Sequence, residues 1–481
     1  MSISSAFNSA MSGLNAAGRA SAIVSENIAN VMTHGYSRRS ISLTSNSLTG
    51  PGVRVVGTIR HSDPVIVANR RVGDASYASA NILAGFHAKF ETLVGKVTDP
   101  SSISSRLASF ESSLITAASM PNSAQRLEIV ADNARNLTQS ISQAAKGVRD
   151  MRTQADQAIN RQVASLNTAL QGVQELNVRI TATHSRGGNI AAFQDQRQVL
   201  IDEINQFVPV REITRPNGQI ALYTDGGAIL VDGPVATIGF TPVNQTTPDM
   251  SIENGTLFGL EINGRPVSTR AFSGGALAAQ FQIRDELAVT AHADLDAVAR
   301  DLIERFETPG LDPTQAAGAP GLFTDNGSAL DPSDETGLAL RLSLNSLVDP
   351  TQGGDSWRLR SGLGAAIPGP PGDATLLQAF EKTLTEHRIS GSPVFGSVQF
   401  TAADVSADLM SKAGIRQNRA EQALSFTAVN KTELIRIELA QGVDTDAELQ
   451  TLMIVEQAFA ANARVIDAVD KMMDELMRLG R

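Results

Sequence analysis

Cysteine is absent from the 481-residue chain, which excludes disulfides, thiolate metal sites and a cysteine nucleophile. Aromatic residues make up only 4%, with one tryptophan, Trp357, and three tyrosines, Tyr36, Tyr77 and Tyr223. A core anchored on large rings is therefore not expected. Ala, Ser, Leu and Val must do most of the packing, which suits long helices lying side by side. Positive charge is also short: the formal net charge is −10, and the pairs Arg38–Arg39 and Arg70–Arg71 are too small to make a patch. Binding phosphates requires a concentrated positive surface, so nucleic acid is not an expected partner. No apolar run reaches the length needed to span a bilayer, and no membrane insertion is expected. Met1–Ala20 has neither a basic n-region nor a continuous apolar h-region, and Arg38–Arg39 has no apolar stretch behind it. The expectation is a chain that, if it leaves the cytoplasm, does so without a cleaved signal peptide.

The usual marks of catalysis are missing as well. The six histidines, His34, His61, His87, His184, His292 and His387, stand singly, with no helix-face metal spacing and no HExxH. Gly50-Pro51-Gly52 and Gly274-Gly275 match neither a phosphate loop nor a dinucleotide fingerprint, and there is no GxSxG. Acidic pairs such as Asp202–Glu203 and Asp285–Glu286 fall on expected helix faces, where a solvated role is the ordinary one. No catalytic, cofactor-binding or metal-binding residues are assigned, no cofactor is expected, and the chain does not read as an enzyme.

What the sequence does contain is patterning. Hydrophobic residues are 42% and charged residues 19%, a soluble, globular balance, and the length allows two to four domains. Near the start, Ile3, Ala10, Ala17, Val24 and Val31 recur every seven residues, with Phe7, Leu14, Ser21 and Ile28 interleaved four residues later. This spacing predicts a coiled-coil seam on a helix over 3–31, ended by Thr33-His34-Gly35. At the other end, Leu452, Phe459, Ile466 and Met473 form one heptad row, and Val455, Asn462, Val469 and Leu476 the row three residues on. Ala458, Val465, Met472 and Leu479 widen that stripe beyond what a dimer seam needs. Gly442 closes the preceding helix, and Thr445 and Glu448 have capping-box spacing.

Six large apolar seam residues of the first helix yield roughly 9–18 kcal/mol if fully buried, at about 1.5–3 each. Ordering its backbone costs roughly 30–60 kcal/mol, and helical hydrogen bonds offset only part of that. Neither end is expected to be stable alone. Each needs the other, or copies of itself, and on pattern alone an ordinary packing of two chain termini is an equal reading.

Between the ends the periods alternate. Ile41, Leu43, Val53, Val55 and Ile59 around Gly50-Pro51-Gly52 predict a β-hairpin near 38–60. Residues 76–207 are helical in character: Leu127 to Met151 keep 3–4 spacing, a phase slip occurs around Ala155–Val163, and Val163 to Ile180 resume, so one very long helix or two stacked ones is expected, ending before Gly187-Gly188. Residues 208–272 read as strands, with turns at Pro216-Asn217-Gly218, Asp225-Gly226-Gly227 and Asp232-Gly233-Pro234 and hairpin signals at Asn254-Gly255 and Asn263-Gly264. Gly274-Gly275-Ala276-Leu277 opens a helix to about Phe306. After it, 307–331 and 361–373 are loop-rich, Leu338, Leu340, Leu342 and Leu344 alternate at strand period, and Val394–Phe400 could complete a small β module. A final helix pair covers 402–441 and 445 onward.

The expected fold class is α+β, mainly α: long terminal helices forming a coiled coil, a long helical rod domain and a small central β-rich outer domain. The divisions expected are 1–75 (axial helix and hairpin), 76–207 (long helical domain), 208–275 (β-rich outer domain), 276–306 (returning helix), 307–401 (loop-rich mixed segment) and 402–481 (C-terminal axial helices).

Two motifs carry a family resemblance. Ser12-Gly13-Leu14-Asn15-Ala16-Ala17 with Asn27-Ile28-Ala29-Asn30-Val31-Met32-Thr33-His34-Gly35-Tyr36-Ser37-Arg38 resembles the N-terminal signature of flagellar rod, hook and hook-associated proteins. Gln457-Ala458-Phe459-Ala460-Ala461-Asn462-Ala463-Arg464-Val465-Ile466 resembles their C-terminal signature. Gly35-Tyr36-Ser37-Arg38 and the long helical block resemble the FlgK type, whereas a hook protein would be mostly β there; Arg284-Asp285-Glu286 and Leu295-Asp296 also resemble a FlgK segment. Met32 and His34 depart from the pattern, which usually has Asn and Pro, and losing the proline softens the helix stop.

The resemblance implies a structural hook–filament junction subunit, outside the cell on the flagellum, polymerising with copies of itself in a ring or helix. It implies hook protein and a second hook-associated junction protein as neighbours, and a cytoplasmic export chaperone and the flagellar type III export apparatus as earlier partners. The implied assembly residues are Ile3, Phe7, Leu14, Val24, Asn27, Ile28, Asn30, Val31, Gly35 and Tyr36 at one end. At the other they are Leu452, Val455, Phe459, Asn462, Ile466, Val469, Met473 and Leu476. A hook or distal-rod subunit is the alternative within the family; an adhesin or effector using the same export route, or an enzyme carried on an axial protein, are alternatives outside it.

Overall fold

The computed structural model describes residues 2–45, 52–96 and 98–479. It is mainly helical. Helix α1 (Ile3–Ala29) leads into a hairpin of β1 (Arg39–Ser45) and β2 (Val53–Arg60), and then into α2 (Pro64–Val94), α3 (Ile103–Ala118), α4 (Ala124–Ser185) and α5 (Ala191–Phe207). Two small antiparallel sheets follow, β3 (Val210–Thr214), β4 (Ile220–Thr224) and β5 (Ile229–Val231), then β6 (Ile238–Gly239), β7 (Leu260–Ile262) and β8 (Arg265–Val267). Helix α6 (Gly275–Gln282) runs through a π-turn at Ile283–Leu287 into α7 (Ala288–Phe306). The next stretch holds β9 (Phe323–Asp325), α8 (Leu338–Arg341), β10 (Leu342–Leu344), α9 (Arg358–Ser361), α10 (Thr375–Thr385), β11 (Arg388–Ile389) and β12 (Gln399–Phe400). The chain closes with α11 (Ala402–Leu439) and α12 (Thr445–Leu479).

Helix α4 is the spine. Its 62 residues span about 93 Å at 1.5 Å per residue. Ser123 caps it through its side chain, and its two glycines are points of close approach. A side chain at Gly147 would lie 2.6 Å from Leu93 of α2, and one at Gly172 2.7 Å from Leu200 of α5. The first half of α4, Leu127 to Ala155, packs with α3, α7, the 306–400 stretch and the start of α11 in one core. The second half, Ile159 to Val173, packs with α5, β3 to β8 and α6 in another. The helix is single and unbroken where the apolar stripe slips phase. The stripe is interrupted there because Arg152 and Asp156 occupy it, buried at 1% and 0% exposure.

Buried arginines hold the loops. Arg152 donates to the carbonyls of Arg284 (2.8 Å), Thr247 (2.6 Å) and Met250 (2.6 Å). Arg305 pairs with Asp301 at 2.6 Å and donates to the carbonyls of Thr383, Glu386 and Phe400. Irregular backbone must find partners when it is covered, and the five-donor guanidinium supplies several at once. Segment 307–401 is thus packed into the first core and not a free loop. The strand segment 208–275 lies against the second half of α4 and α5.

Several expectations need correction. Helix α2 begins at Pro64, not near residue 76, because Asp63 caps it and Pro64 occupies its first turn; the division at 75/76 falls inside it. Leu338 and Leu340 lie in the helical turn α8, and only Leu342 and Leu344 are on a strand, β10, paired with β9. Val394 is outside any strand, and β12 pairs with β11 in a separate sheet, so these segments make no joint β module. Asn254-Gly255 turns within a loop, whereas Asn263-Gly264, with φ of 51° and 75°, joins β7 to β8. Gly50 and Pro51 of the first hairpin turn lie outside the described residues.

Candidate assembly interface

The terminal helices α1 and α12 pack antiparallel. Asn27 meets Glu448, and Asn462 sits on Gly13, where an added side chain would come within 2.7 Å of its amide. Fourteen residues back along α1 thus match fourteen forward along α12. The same register brings Ser2 opposite Met473 and leaves 474–479 beyond the end of α1. Helices α2 and α11 form a second antiparallel pair, with Gly73 against Leu434 and Lys431 over the Tyr77 ring.

A polar knot closes the wide end of the first pair. Asn27, fully buried, donates to the Arg39 carbonyl (2.8 Å) and to Glu448 Oε2 (3.0 Å). Its Oδ1 accepts from the Tyr36 hydroxyl (2.8 Å) and the Arg39 amide (3.0 Å). Arg38 Nε donates to Glu448 Oε1 at 2.6 Å. Asp444, not Thr445, caps α12, its Oδ1 accepting from the amides of Asp446 and Ala447. Glu448 is thereby free to turn inward and hold α1. Burial pushes the Tyr36 phenol up, opposed by Arg39 and reinforced by Glu26, Asp195 and Glu448. Burial alone would lower Arg39, whose guanidinium lies 4.7 Å over the Tyr36 ring, but the hydrogen bond and charge of Asp195 outweigh it and raise the value.

The structure distributes the expected assembly residues unevenly. Val24, Asn27 and Val469 are buried; Ile3, Leu14, Ile28, Asn30, Gly35, Tyr36, Leu452, Val455, Asn462 and Ile466 are half-buried. Phe7, Val31, Phe459, Met473 and Leu476 are exposed. Asn30 closes α1 by donating to the Glu26 carbonyl (2.9 Å) and accepting from Thr33 (3.1 Å). Gly35 has φ +80° and presses on Val199 of α5. Much of the apolar stripe is therefore left uncovered by the partner helix: Phe7 is 40% exposed, Phe459 44%, Leu476 54% and Met477 74%. Isolated exposed apolar residues are ordinary, but several on two adjoining helices make a candidate interaction surface.

Residues outside the sequence expectation complete the arrangement. Arg39 Nη2 and Arg60 Nε bind the two oxygens of Asp195 at 2.6 and 2.7 Å. Arg70 binds Asp74, Asp202 and Glu438, and Arg71 binds Asp202 and Glu212, tying α2 to α5 and α11. The Arg-Arg doublets were visible in the sequence as clusters too small for a nucleic-acid surface; Asp195, Asp202, Glu212, Glu438 and Glu448, their acidic partners more than a hundred positions away, were not. Among the described residues, no group of acidic, histidine or cysteine side chains could hold a metal ion, and no helix is long and apolar enough to cross a membrane.

Comparison with known families agrees with this arrangement. The model of the flagellar hook-associated protein FlgK helical domain matches residues 88–321, that of the flagella basal body rod protein residues 7–36, and that of the flagellar basal body rod FlgEFG protein C-terminal region residues 440–479. Flagellar hook-associated protein 1 of Salmonella typhimurium is 30% identical over 245 residues, covering 49% of this chain and 44% of that protein, so the chain spans about half the length of that relative. Flagellar hook-associated protein 1 of Bacillus subtilis is 20% identical with 96% of both chains covered, and that of Escherichia coli 26% identical over 66% of this chain and 59% of its own. The flagellar hook junction protein FlgK from Burkholderia pseudomallei superposes on 54% of this chain and 47% of its own, with a TM-score of 0.44 and 17% identity. With one family model on the helical block and two on the paired terminal helices, the chain belongs to the flagellar hook-associated protein 1 (FlgK) family of structural flagellar proteins.

Proposed function

We propose that this protein is the subunit that joins hook to filament in the bacterial flagellum, a structural part and not an enzyme. The observation that carries the reading is the apolar stripe of α1 and α12 that their own pairing leaves exposed, including the overhanging end of α12. Each exposed large side chain gains about 1.5–3 kcal/mol on burial, so copies side by side can supply what one antiparallel pair lacks. The terminal pairs then form an inner layer shared between subunits, with Ile3, Phe7, Leu14, Val24, Ile28 and Val31 and their counterparts Leu452, Val455, Phe459, Ile466, Val469, Met473 and Leu476 as its contacts. Asn27, Asn30, Gly35, Tyr36 and Asn462 fix the geometry of the pair.

In this reading the neighbours are copies of the chain, hook protein on one side and the second junction protein on the other. Before assembly an export chaperone shields α12, and the type III export apparatus delivers the chain outside the cell. The test is deletion of the gene, followed by electron microscopy and an assay of flagellin in the medium. Hooks without filaments and flagellin lost to the medium are expected; cells without hooks would move the protein to the rod or hook class. Leu14→Asp and Ile466→Asp are expected to reproduce the deletion while residues 80–400 stay folded.

A further inference from the structure

The α1–α12 pair meets the rest of the chain across a small contact on one face of α5. Gly35 abuts Val199, and Asp195, one turn earlier on that helix, receives Arg39 on Oδ2 and Arg60 on Oδ1. Arg39 and Arg60 are register partners at the base of the β1–β2 hairpin, so one carboxylate clamps both strands where the hairpin leaves the body. The chain itself crosses here only through that hairpin and through the turn between α11 and α12. Neither Asp195 nor its two partners belongs to either apolar core.

We propose that Asp195 is a latch that sets the angle between the terminal helix pair and the helical body, with Gly35 on Val199 as its pivot. The side chains of Asp195, Arg39 and Arg60 are 11%, 10% and 17% exposed, so both charge-assisted hydrogen bonds form where water competes weakly. With the carboxylate gone, Arg60 loses its partner while Arg39 keeps Glu26 at 3.2 Å, so neither ion pair ties the hairpin base to α5 and the clamp is lost. The pair does not come apart when this happens, because the Asn27–Glu448–Arg38 contacts lie within it. The pair is therefore built to swing as a unit. A subunit between two differently packed partners needs such an adjustable angle, and the latch holds one setting without committing core residues to it.

The absence of cysteine makes the test direct. Spin labels at Asn15→Cys on α1 and Ser165→Cys on α4, both exposed, report the angle. Labels at Asn15→Cys and Gln457→Cys report the integrity of the pair. In the otherwise unaltered full chain, pulsed electron–electron resonance is expected to give a single distance for both label pairs. Asp195→Ala is expected to spread the α1–α4 distance while the α1–α12 distance stays single, and Asp195→Glu, which keeps the carboxylate, to restore a single α1–α4 peak. Glu448→Gln serves as the converse control, loosening the α1–α12 distance first. A single unchanged α1–α4 distance in Asp195→Ala would overturn the latch. So would a spread of both distances in the unaltered chain, because then nothing holds the pair as a unit.

Discussion

Replacing Asn27 by Ala is the sharpest probe of the terminal pair, because this one side chain makes four hydrogen bonds at full burial. Truncation takes Asn27 away from both the amide and the carbonyl of Arg39 in the interior, while Glu448 loses one donor and keeps Arg38. Tyr36, half-buried, can turn its hydroxyl to water. Two buried backbone groups left unpaired cost about 1–3 kcal/mol each, giving roughly 2–6 kcal/mol in all. The loss falls on the docking of α12 and the hairpin on α1, far from both apolar cores. Native-state hydrogen exchange is the appropriate assay, since it reads local opening. Amides in 445–470 and 39–45 are expected to exchange at least about tenfold faster, a factor corresponding to about 1.4 kcal/mol, while those of α4 keep their protection. Asn27→Asp is expected to be as harmful, because a carboxylate cannot donate to the Arg39 carbonyl and is set against Glu448. Unchanged exchange in α12 for both variants would refute the claim that the knot holds the pair.

Asp156→Ala tests the seam between the two cores. Its partner Arg284 is fully buried but keeps Asp285 and the Phe258 carbonyl, so the cost falls at about 3 kcal/mol, the low end for breaking a buried pair. The thermal midpoint of the body is expected to drop by roughly 6–12 °C, and a change within error would show that Asp285 suffices. Burial alone would raise Asp349, but hydrogen bonds from Arg135, Thr351 and Gln352 hold it down to about 2. Because that value is below the unfolded one, the carboxylate stabilises the fold above about pH 4, and the contribution is lost as pH falls toward about 2. The difference in urea midpoint between the native chain and Asp349→Asn is expected to shrink over that interval; a constant difference would contradict it. Gly35→Ala forces a left-handed residue to carry a side chain within 2.5 Å of Val199. The conformational strain alone is about 1–2 kcal/mol, and faster exchange across β1 is the expected reading.

The helices were legible because their signals are local. Heptad rows marked α1 and α12, the 3–4 spacing marked α4, and Asn263-Gly264 marked a hairpin. The misreadings have physical causes of the same kind. The apparent phase slip at Ala155–Val163 arose because Arg152 and Asp156 are polar yet buried, and only their distant partners at 243–285 explain why burial is tolerated. The 307–401 segment read as loops because Arg305, three carbonyls and the packing of Phe306 and Phe323 hold it, none of which has a sequence period. At the interface, the motif residues Asn27 and Tyr36 were found through resemblance. Asp195 carries no local signal at all: it lies on an ordinary helix among ordinary charges, and its role exists only because the hairpin folds back onto it.

The same distinction explains why the terminal pair is pinned by polar contacts. If α1 and α12 spent their whole apolar stripe on each other, nothing would remain for neighbours, and if they shared none, the pair would have no defined register. Antiparallel helices of small and apolar residues can slide by a heptad at little cost in buried area. Asn27 can meet Glu448, and Asn462 can seat over Gly13, in one register only. Sliding one heptad would take Glu448 away from Asn27 and Arg38 and put Asn462 against Ala6 or Ala20 in place of Gly13, a loss of several kcal/mol by the cost of parting a buried charge from its partners. A few polar positions thus fix how the two helices lie, while Phe7, Phe459 and Leu476 stay outside the pairing, available to the next subunit.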